Sequence, residues 1–411
     1  MSNLEELIER LCPDGVEYKT LTELFDTKNG YTPSKSKEEY WTNGTVPWFR
    51  MEDIRENGNI LSKAIQYVSE SAIKGSLFPA DSIIVATSAT IGQHALIKVP
   101  SLANQRFTYL VLKDEFKEQI DIMFIYYCCF KLDEYCKECL NQGNFASVDM
   151  KKFLKFKFPV PPLEVQREIV RILDNFTFLT AELAAELAAR QKQYEYYKEY
   201  LFENHIFDVE WKRLDELFPF IRNGFVGTIK SFFTNETDGI RYLEGTNIHD
   251  GVISDNEVLY VTKEFHKKHI KNQLKADDIL MVQSGHIGEC AVVGKKYEGS
   301  NCHALIIMSN GGKCLSKYYV YYFHTIKGFK SLTPAITGGT IKHVLAGKIG
   351  KIKVPVPSLE QQQRIVDILD RFDTLCNDIS SGLPAEIEMR QKQYEYYRDK
   401  LLTFKELKKE A

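Results

Sequence analysis

Two short polar turns are the residues best suited to chemistry. Thr87-Ser88-Ala89-Thr90 and Gln283-Ser284-Gly285-His286 each follow an apolar run and precede an Ile-Gly pair. Hydroxyl, amide and imidazole groups on such loops can bond to base edges in a major groove, although plain turns use the same residue types. A second matched pair is Gln142-Gly143-Asn144 and Thr337-Gly338-Gly339-Thr340. Glycine lets backbone N–H groups approach a phosphate, and lysine neutralises it. Lys151, Lys152, Lys155 and Lys157 follow the first loop; Lys342, His343, Lys348, Lys351 and Lys353 follow the second. Solvated surface lysine is the competing explanation. The candidate nucleic-acid contacts are therefore Thr87, Ser88, Thr90, Asn144, Lys151 and Lys152 in the first half, and Gln283, Ser284, His286, Thr340, Lys342 and His343 in the second. Arg50, Gln105 and Arg106 join the first set, and Arg222, Arg241, Asn301 and His303 the second. Lys263, Lys267, Lys268, Lys271 and Lys275 form either a backbone-tracking cluster or a solvated helix face.

Catalytic and metal signatures are weaker. Cys128, Cys129, Cys136 and Cys139 contain one Cys-x-x-Cys, but no second one follows and no His lies nearby, so apolar packing on a helix near 120–140 is favoured over zinc. The Pro-Pro of Pro161-Pro162 is followed by Leu163, not by the aromatic an amino-methyltransferase loop uses. Neither G-x-G-x-x-G nor G-x-x-x-x-G-K-[ST] occurs. Glu115-Phe116-Lys117 is a fragment of a nuclease pattern with no matching carboxylate. No catalytic, cofactor or metal residue is assigned.

The elements that must position the polar turns come in two copies. Arg190-Gln-Lys-Gln-Tyr-Glu-Tyr-Tyr197 recurs identically as Arg390 to Tyr397. Val160-Pro-Pro-Leu-Glu164 with Gln166 to Asp174 returns as Val356-Pro-Ser-Leu-Glu360 with Gln363 to Asp370. Val16 to Phe25 matches Val209 to Phe218, Asn29-Gly30 matches Asn223-Gly224, and Asp81 to Gly92 matches Asp277 to Gly288. A repeat of this length sets the architecture before anything else. Each half is a diverged globule followed by a well-matched helix.

Ser82 to Ala86 and Asp278 to Val282 are short buried-strand candidates, so the globules are mixed α/β (α+β). Prolines at 161–162 and 355–357 end each globule, because proline interrupts strand ladders and suits a helix start. Leu163, Ile169, Ile172, Leu173, Phe176, Leu179, Leu183 and Leu187 form one apolar helical stripe, repeated from Leu359 to Ile379. Two such stripes most simply pair antiparallel, giving two globules in a pseudo-two-fold arrangement. The second helix carries four extra residues and a Gly382–Pro384 break. The expected segments are a first globule at 1–158, a helical arm at 159–205, a second globule at 206–354, and a second arm at 355–411 interrupted near 381–384. Tyr194, Tyr197, Tyr394 and Tyr397 sit where the arms end and are candidate partner contacts.

The 411-residue chain is 44% hydrophobic and 27% charged, has a formal net charge of −3 and lacks a run of eighteen apolar residues. That composition suits a globular cytoplasmic protein with reduced thiols and no membrane contact. The net charge argues mildly against tight non-specific nucleic-acid binding by the isolated chain. Two variable globules, each closed by a Val-Pro-x-Leu-Glu segment and a long helix ending Arg-Gln-Lys-Gln-Tyr-Glu-Tyr-Tyr, resemble the specificity subunits of type I restriction–modification systems. The Thr180-Ala-Glu-Leu183, Ala184-Ala-Glu-Leu187 repeat is similar to that family as well. The resemblance implies two target recognition domains that read double-stranded DNA, one half of a split site each. It implies helices that set the spacer and bind two copies of a methyltransferase subunit, and motor–nuclease subunits in the restriction complex. S-adenosylmethionine, ATP and Mg2+ would then belong to those partners, and this chain would be non-catalytic. The competing expectations are a protein-binding scaffold without DNA specificity and, less favoured, a fused methyltransferase or nuclease.

Overall fold

A computed structural model describes residues 3–141, 146–203, 209–339 and 342–407. The candidate contacts Asn144 and Thr340 lie outside the described residues. Five helices organise the rest: α1 (Ile122–Glu138), α2 (Leu163–Leu201), α3 (Ser316–Phe323), α4 (Leu359–Asn377) and α5 (Leu383–Leu401). The chain forms two compact units, residues 1–182 with 387–411, and residues 183–386. Each unit therefore holds one globule, the start of the long helix that follows it, and the end of the helix from the other half.

Unit 1 is built on an antiparallel sheet of β1 (Phe25–Asn29), β2 (Ser82–Ala86), β3 (His94–Ile97) and β4 (Phe107–Leu112), in the order β1-β4-β2-β3, with Ile60–Leu61 added parallel at the β3 edge. Unit 2 repeats that order with β5 (Phe220–Asn223), β6 (Ile279–Val282), β7 (Cys290–Val292) and β8 (Leu305–Ser309), arranged β5-β8-β6-β7. The inner strands β2, β4, β6 and β8 are mostly apolar because both faces are covered, whereas the edge strands β1 and β5 are largely polar or exposed. Ile83 and Val85 face the helical core with Phe124, Ile169 and Leu173, whereas Ile84 and Ala86 pack with Trp48 and Phe49. In unit 2, Ile279 and Met281 face Tyr319 and Leu369, and Leu280 and Val282 face Leu243 and Ile248.

Pro161, Pro162 and Pro357 stand between the closing strand and the helix, as expected, but Pro355 does not. Pro159 and Pro355 lie inside strands, paired with Tyr18 and Trp211 in two-stranded ladders. Each strand of such a ladder is an edge, so proline's missing N–H breaks no second pairing. The opening segment of each globule is thus tied to its closing segment at the point where the long helix leaves.

Each helix start is fixed by a buried glutamine. Gln166 donates to the carbonyls of Gln119 and Pro161 at 2.9 and 2.7 Å and accepts from the Asp121 N–H at 2.9 Å. Gln362 donates to the Pro357 carbonyl and accepts from the Leu315 N–H, both at 2.9 Å. Along the arms, Phe176 stacks on Tyr397 within unit 1, and Phe372 stacks on Tyr194 and Tyr197 within unit 2. α4 ends at Asn377 and α5 starts at Leu383. Gly382 between them packs against the carbonyls of Thr374, Asp378 and Leu375, where a Cβ would not fit.

Candidate nucleic-acid interface

The β2–β3 turn of unit 1 and the β6–β7 turn of unit 2 have the same backbone. The Ala86 N–H donates to the Gln93 carbonyl at 2.8 Å, and the Val282 N–H to the Glu289 carbonyl at 2.7 Å, closing each turn at the same place. Asp81 and Asp277 both have positive φ, 60° and 70°; Ala89 and Gly285 do too, at 65° and 81°. Glycine adopts this left-handed conformation freely, whereas at Ala89 it costs about 1–2 kcal/mol.

In each unit the turn meets the segment that follows the second polar loop; Gln142, Gly143 and Asn144 of that loop in unit 1 lie outside the described residues. In unit 1 the Val148 N–H donates to the Thr87 carbonyl at 2.9 Å, the Ala89 N–H donates to the Ala146 carbonyl at 3.2 Å, and Ser88 bridges Ser147. In unit 2 the Val344 N–H donates to the Gln283 carbonyl at 2.9 Å, and Ser284 bridges His343, with Ser284 Oγ 2.5 Å from His343 Nδ1. Each unit therefore carries one double-loop site at one end of its main sheet. The strand that enters beside the turn completes it: Asn29-Gly30 and Asn223-Gly224 end β1 and β5 there. Gly30 packs against the Ala103 and Asn104 carbonyls, and a Cβ on Gly224 would lie 2.6 Å from the Cys302 carbonyl. Only glycine permits that approach.

Several candidates are placed to touch a ligand. Ser284, His286, Gln105, Arg106, Lys151, Lys152 and Lys342 are exposed, and Ser88, Thr90, Gln283 and His343 are half-exposed. Lys151 and Lys152 occupy a short helical turn whose N–H groups are capped by Asp149 at 2.9 and 3.4 Å. Gln105 accepts a hydrogen bond from Thr32, a neighbour not singled out in the sequence.

Others are committed to the fold. Thr87 is buried, and its hydroxyl joins Thr108 at 2.9 Å, which in turn donates to Asn29 at 2.9 Å. As the first residue after the strand it still lies in the sheet layer, so it supports the turn and does not present a side chain. Asn301 is only 1% exposed and pairs with His266 Nδ1 at 2.7 Å. Arg222 donates to Ser309 Oγ at 2.7 Å and the Gln273 carbonyl at 3.0 Å, beside Asp278 at 3.6 Å. Arg241 donates to the carbonyls of Tyr242, Leu259 and Glu257 at 3.0–3.2 Å. Arg50 lies 5.7 Å from the Trp48 ring with a buried Nε, and His303 Nδ1 sits 3.3 Å from the Tyr242 hydroxyl. Apart from Arg50, whose buried Nε has no hydrogen-bond partner among the described residues, these groups bond within their own unit, which sequence spacing does not reveal.

The terminal tyrosines also divide. Tyr194, Tyr197 and Tyr397 stack on Phe372 or Phe176, and Tyr394 packs on the unit 1 core. The outward aromatics are their neighbours Tyr196 and Tyr396, each 62% exposed, with Tyr200 stacked beside Tyr196 at 5.8 Å. Of the cysteines near 128–139, all four are buried on α1 or at its end, and burial pushes the Cys136 thiol up to about 12.

The family model for the type I restriction modification DNA specificity domain matches twice, over residues 13–190 and 207–389. The chain belongs to that family. Its role is that of a DNA sequence-specificity subunit of a type I restriction–modification system. It is 38% identical over 406 residues to the EcoprrI specificity subunit of Escherichia coli, covering 92% of each chain. It is 36% identical over 280 residues to the EcoR124I/EcoR124II specificity subunit of Escherichia coli, covering 64% of this chain and 68% of the relative. Among solved structures, a chain from work on complex assembly and conformational transition of the type I R-M system has a TM-score of 0.65 at 17% identity, covering 95% of this chain and 98% of that one. The HsdS subunit from Thermoanaerobacter tengcongensis has a TM-score of 0.57 at 14% identity, covering 95% and 97%. At those identities the structures establish the shared fold. The duplicated fold of the specificity subunit is thus one that it shares with those structures.

Proposed function

We propose that the two double-loop sites read the two halves of one split, asymmetric DNA target. The observation that carries this reading is that one backbone frame presents Ser88 and Thr90 in unit 1 but Gln283, Ser284 and His286 in unit 2. Identical frames with different polar groups suit two different base sequences. Lys151, Lys152 and Lys342 supply the adjoining phosphate contacts. α2 is 39 residues long, about 58 Å by helical rise, and with α4 and α5 it sets the number of unread base pairs.

The partners are two copies of a methyltransferase subunit, docked where Tyr196, Tyr200 and Tyr396 project, and motor–nuclease subunits in the restriction complex. S-adenosylmethionine, ATP and Mg2+ act in those subunits, and the complex works in the cytoplasm. Among the described residues, no helix is long and apolar enough to cross a membrane.

Co-expression with the methyltransferase subunit, followed by genome-wide mapping of methylated adenines, tests the proposal. A split motif with one modified adenine on each strand is the expected result. An assembled, S-adenosylmethionine-bound complex that modifies no motif would overturn it in favour of a protein-binding scaffold.

A further inference from the structure

Behind each reading turn lies a histidine–carboxylate pair that joins the turn to a helix of the same unit. In unit 1, His94 is the first residue of β3, directly after the turn, and its Nδ1 is 2.6 Å from Asp133 Oδ2 on α1. The pair is buried, with His94 at 0% and Asp133 at 7% exposure, and the ring sits edge-on between Tyr126 and Phe130. In unit 2, Glu289 is the residue before β7, at the foot of the turn, and its carboxylate is 3.2 Å from Nε2 of His324, which caps the end of α3. The same carboxylate accepts the Asp250 N–H at 3.0 Å.

The two pairs have opposite polarity. Unit 1 has its histidine on the sheet and its acid on the helix; unit 2 reverses them. The helix positions are one turn apart. Tyr127 of α1 and Tyr321 of α3 make the same bond, to Asp174 and Asp370. Asp133 lies six residues after Tyr127 and His324 three after Tyr321, successive turns along one helix face. Neither residue pair is shared between the two sequences, yet the same kind of link is made at the same junction.

The unit 2 histidine bonds through both ring nitrogens. His324 Nδ1 is 2.7 Å from the Val320 carbonyl, which can only accept, so Nδ1 donates. Nε2 lies 3.2 Å from the Glu289 carboxylate, so the ring spans from the end of α3 to the foot of the turn. The hydrogen bond from His324 keeps the Glu289 carboxyl below its ordinary range. Hydrogen bonds are directional, and they fix geometry that apolar packing leaves adjustable.

We infer that His94–Asp133 and Glu289–His324 are positioning pairs that hold each reading turn in register on its helix, and so set how strictly that half of the target is discriminated. This inference rests on the turns being the DNA-reading elements. None of the four residues touches DNA in it; each acts through the turn.

The test uses the complete complex with the methyltransferase subunit, and reads methylation at sites carrying a mismatch in one half or the other. Asp133→Asn is expected to raise modification of sites mismatched in one half by about tenfold relative to the cognate site, the size of one weakened base contact. Glu289→Gln does the same for the other half, at a half-exposed position where folding is less at risk. The exchanged pair His94→Glu/Asp133→His, which adopts the polarity of unit 2, restores discrimination. A buried pair replaced by apolar groups often keeps its stability, so His94→Phe/Asp133→Leu separates positioning from folding: it should remain folded and be relaxed. Relaxation of both halves by a single pair, or unchanged discrimination in folded Glu289→Gln and His94→Phe/Asp133→Leu complexes, would overturn the inference. A wild-type complex with no split motif would overturn the reading of the turns, and the positioning role with it.

Discussion

The Tyr127 hydroxyl donates to the Asp174 carboxylate at 2.5 Å, and in the second unit Tyr321 donates to Asp370 at 2.6 Å. Both bonds tie a helix under the reading sheet to the start of an arm. Tyr127 is buried while Asp174 is exposed, so the two partners should respond unequally to deletion. Tyr127→Phe leaves a carboxylate that water can solvate and should cost about 1 kcal/mol. Asp174→Ala leaves the buried Tyr127 hydroxyl with Thr177 alone as a partner and should cost about 1–3 kcal/mol. Urea denaturation of the two variants measures the difference; equal, negligible losses would show that the bond contributes nothing to the junction.

Gly30 and Gly224 mark where the first strand of each sheet passes beneath the next. A Cβ at either would press on backbone atoms, which cannot rotate away. Gly30→Ala and Gly224→Ala should each destabilise their unit by about 1–3 kcal/mol, as overpacking does. Gly58→Ala meets no neighbouring atom and separates crowding from backbone conformation, because its φ of 79° is itself unfavourable for alanine. A thermal melt that ranks Gly30→Ala no worse than Gly58→Ala would contradict the crowding argument.

Much of the frame was legible because duplication makes a sequence its own comparison. The matched turns at Thr87 and Gln283, the glycines at 30 and 224, and the helix starts after Pro162 and Ser358 all occupy equivalent places in the two units. The site residues were less legible. Arg222 and Arg241 carry the right chemistry for DNA, but their guanidinium groups bond to carbonyls and a serine of their own unit. Long-range pairing of that sort leaves no local pattern. The tyrosine segments show a related limit: the helical period separates inward Tyr197 from outward Tyr196 only once the buried face is known. His94–Asp133 had no sequence signal, since its counterpart in the second unit uses different residues at offset positions.

Ala89 adopts φ 65° where the matching residue is Gly285 at 81°. Removing the Cβ should relieve the strain of about 1–2 kcal/mol but add flexibility to the unfolded chain, worth roughly 0.4–1 kcal/mol in the other direction. Ala89→Gly is therefore expected to be neutral or stabilising by up to about 1 kcal/mol, whereas Gly285→Ala should be destabilising by a similar amount. Opposite signs in denaturation midpoints check the shared turn conformation; the same sign in both would refute it.

Lys152 and His286 should report different kinds of contact. Lys152 is exposed beside the double-loop site of unit 1, at a position suited to a phosphate. Lys152→Ala should weaken binding of cognate and mismatched duplexes alike and lower the slope of log affinity against log salt by about one. His286 is exposed on the turn of unit 2, where a side chain can meet a base edge. His286→Ala should cost about 1–3 kcal/mol on the cognate duplex and little on one already mismatched at that position. Fluorescence anisotropy of the assembled complex across a salt series separates the two. If Lys152→Ala alters sequence preference and leaves the salt slope unchanged, the assignment of that lysine to the phosphate backbone is wrong.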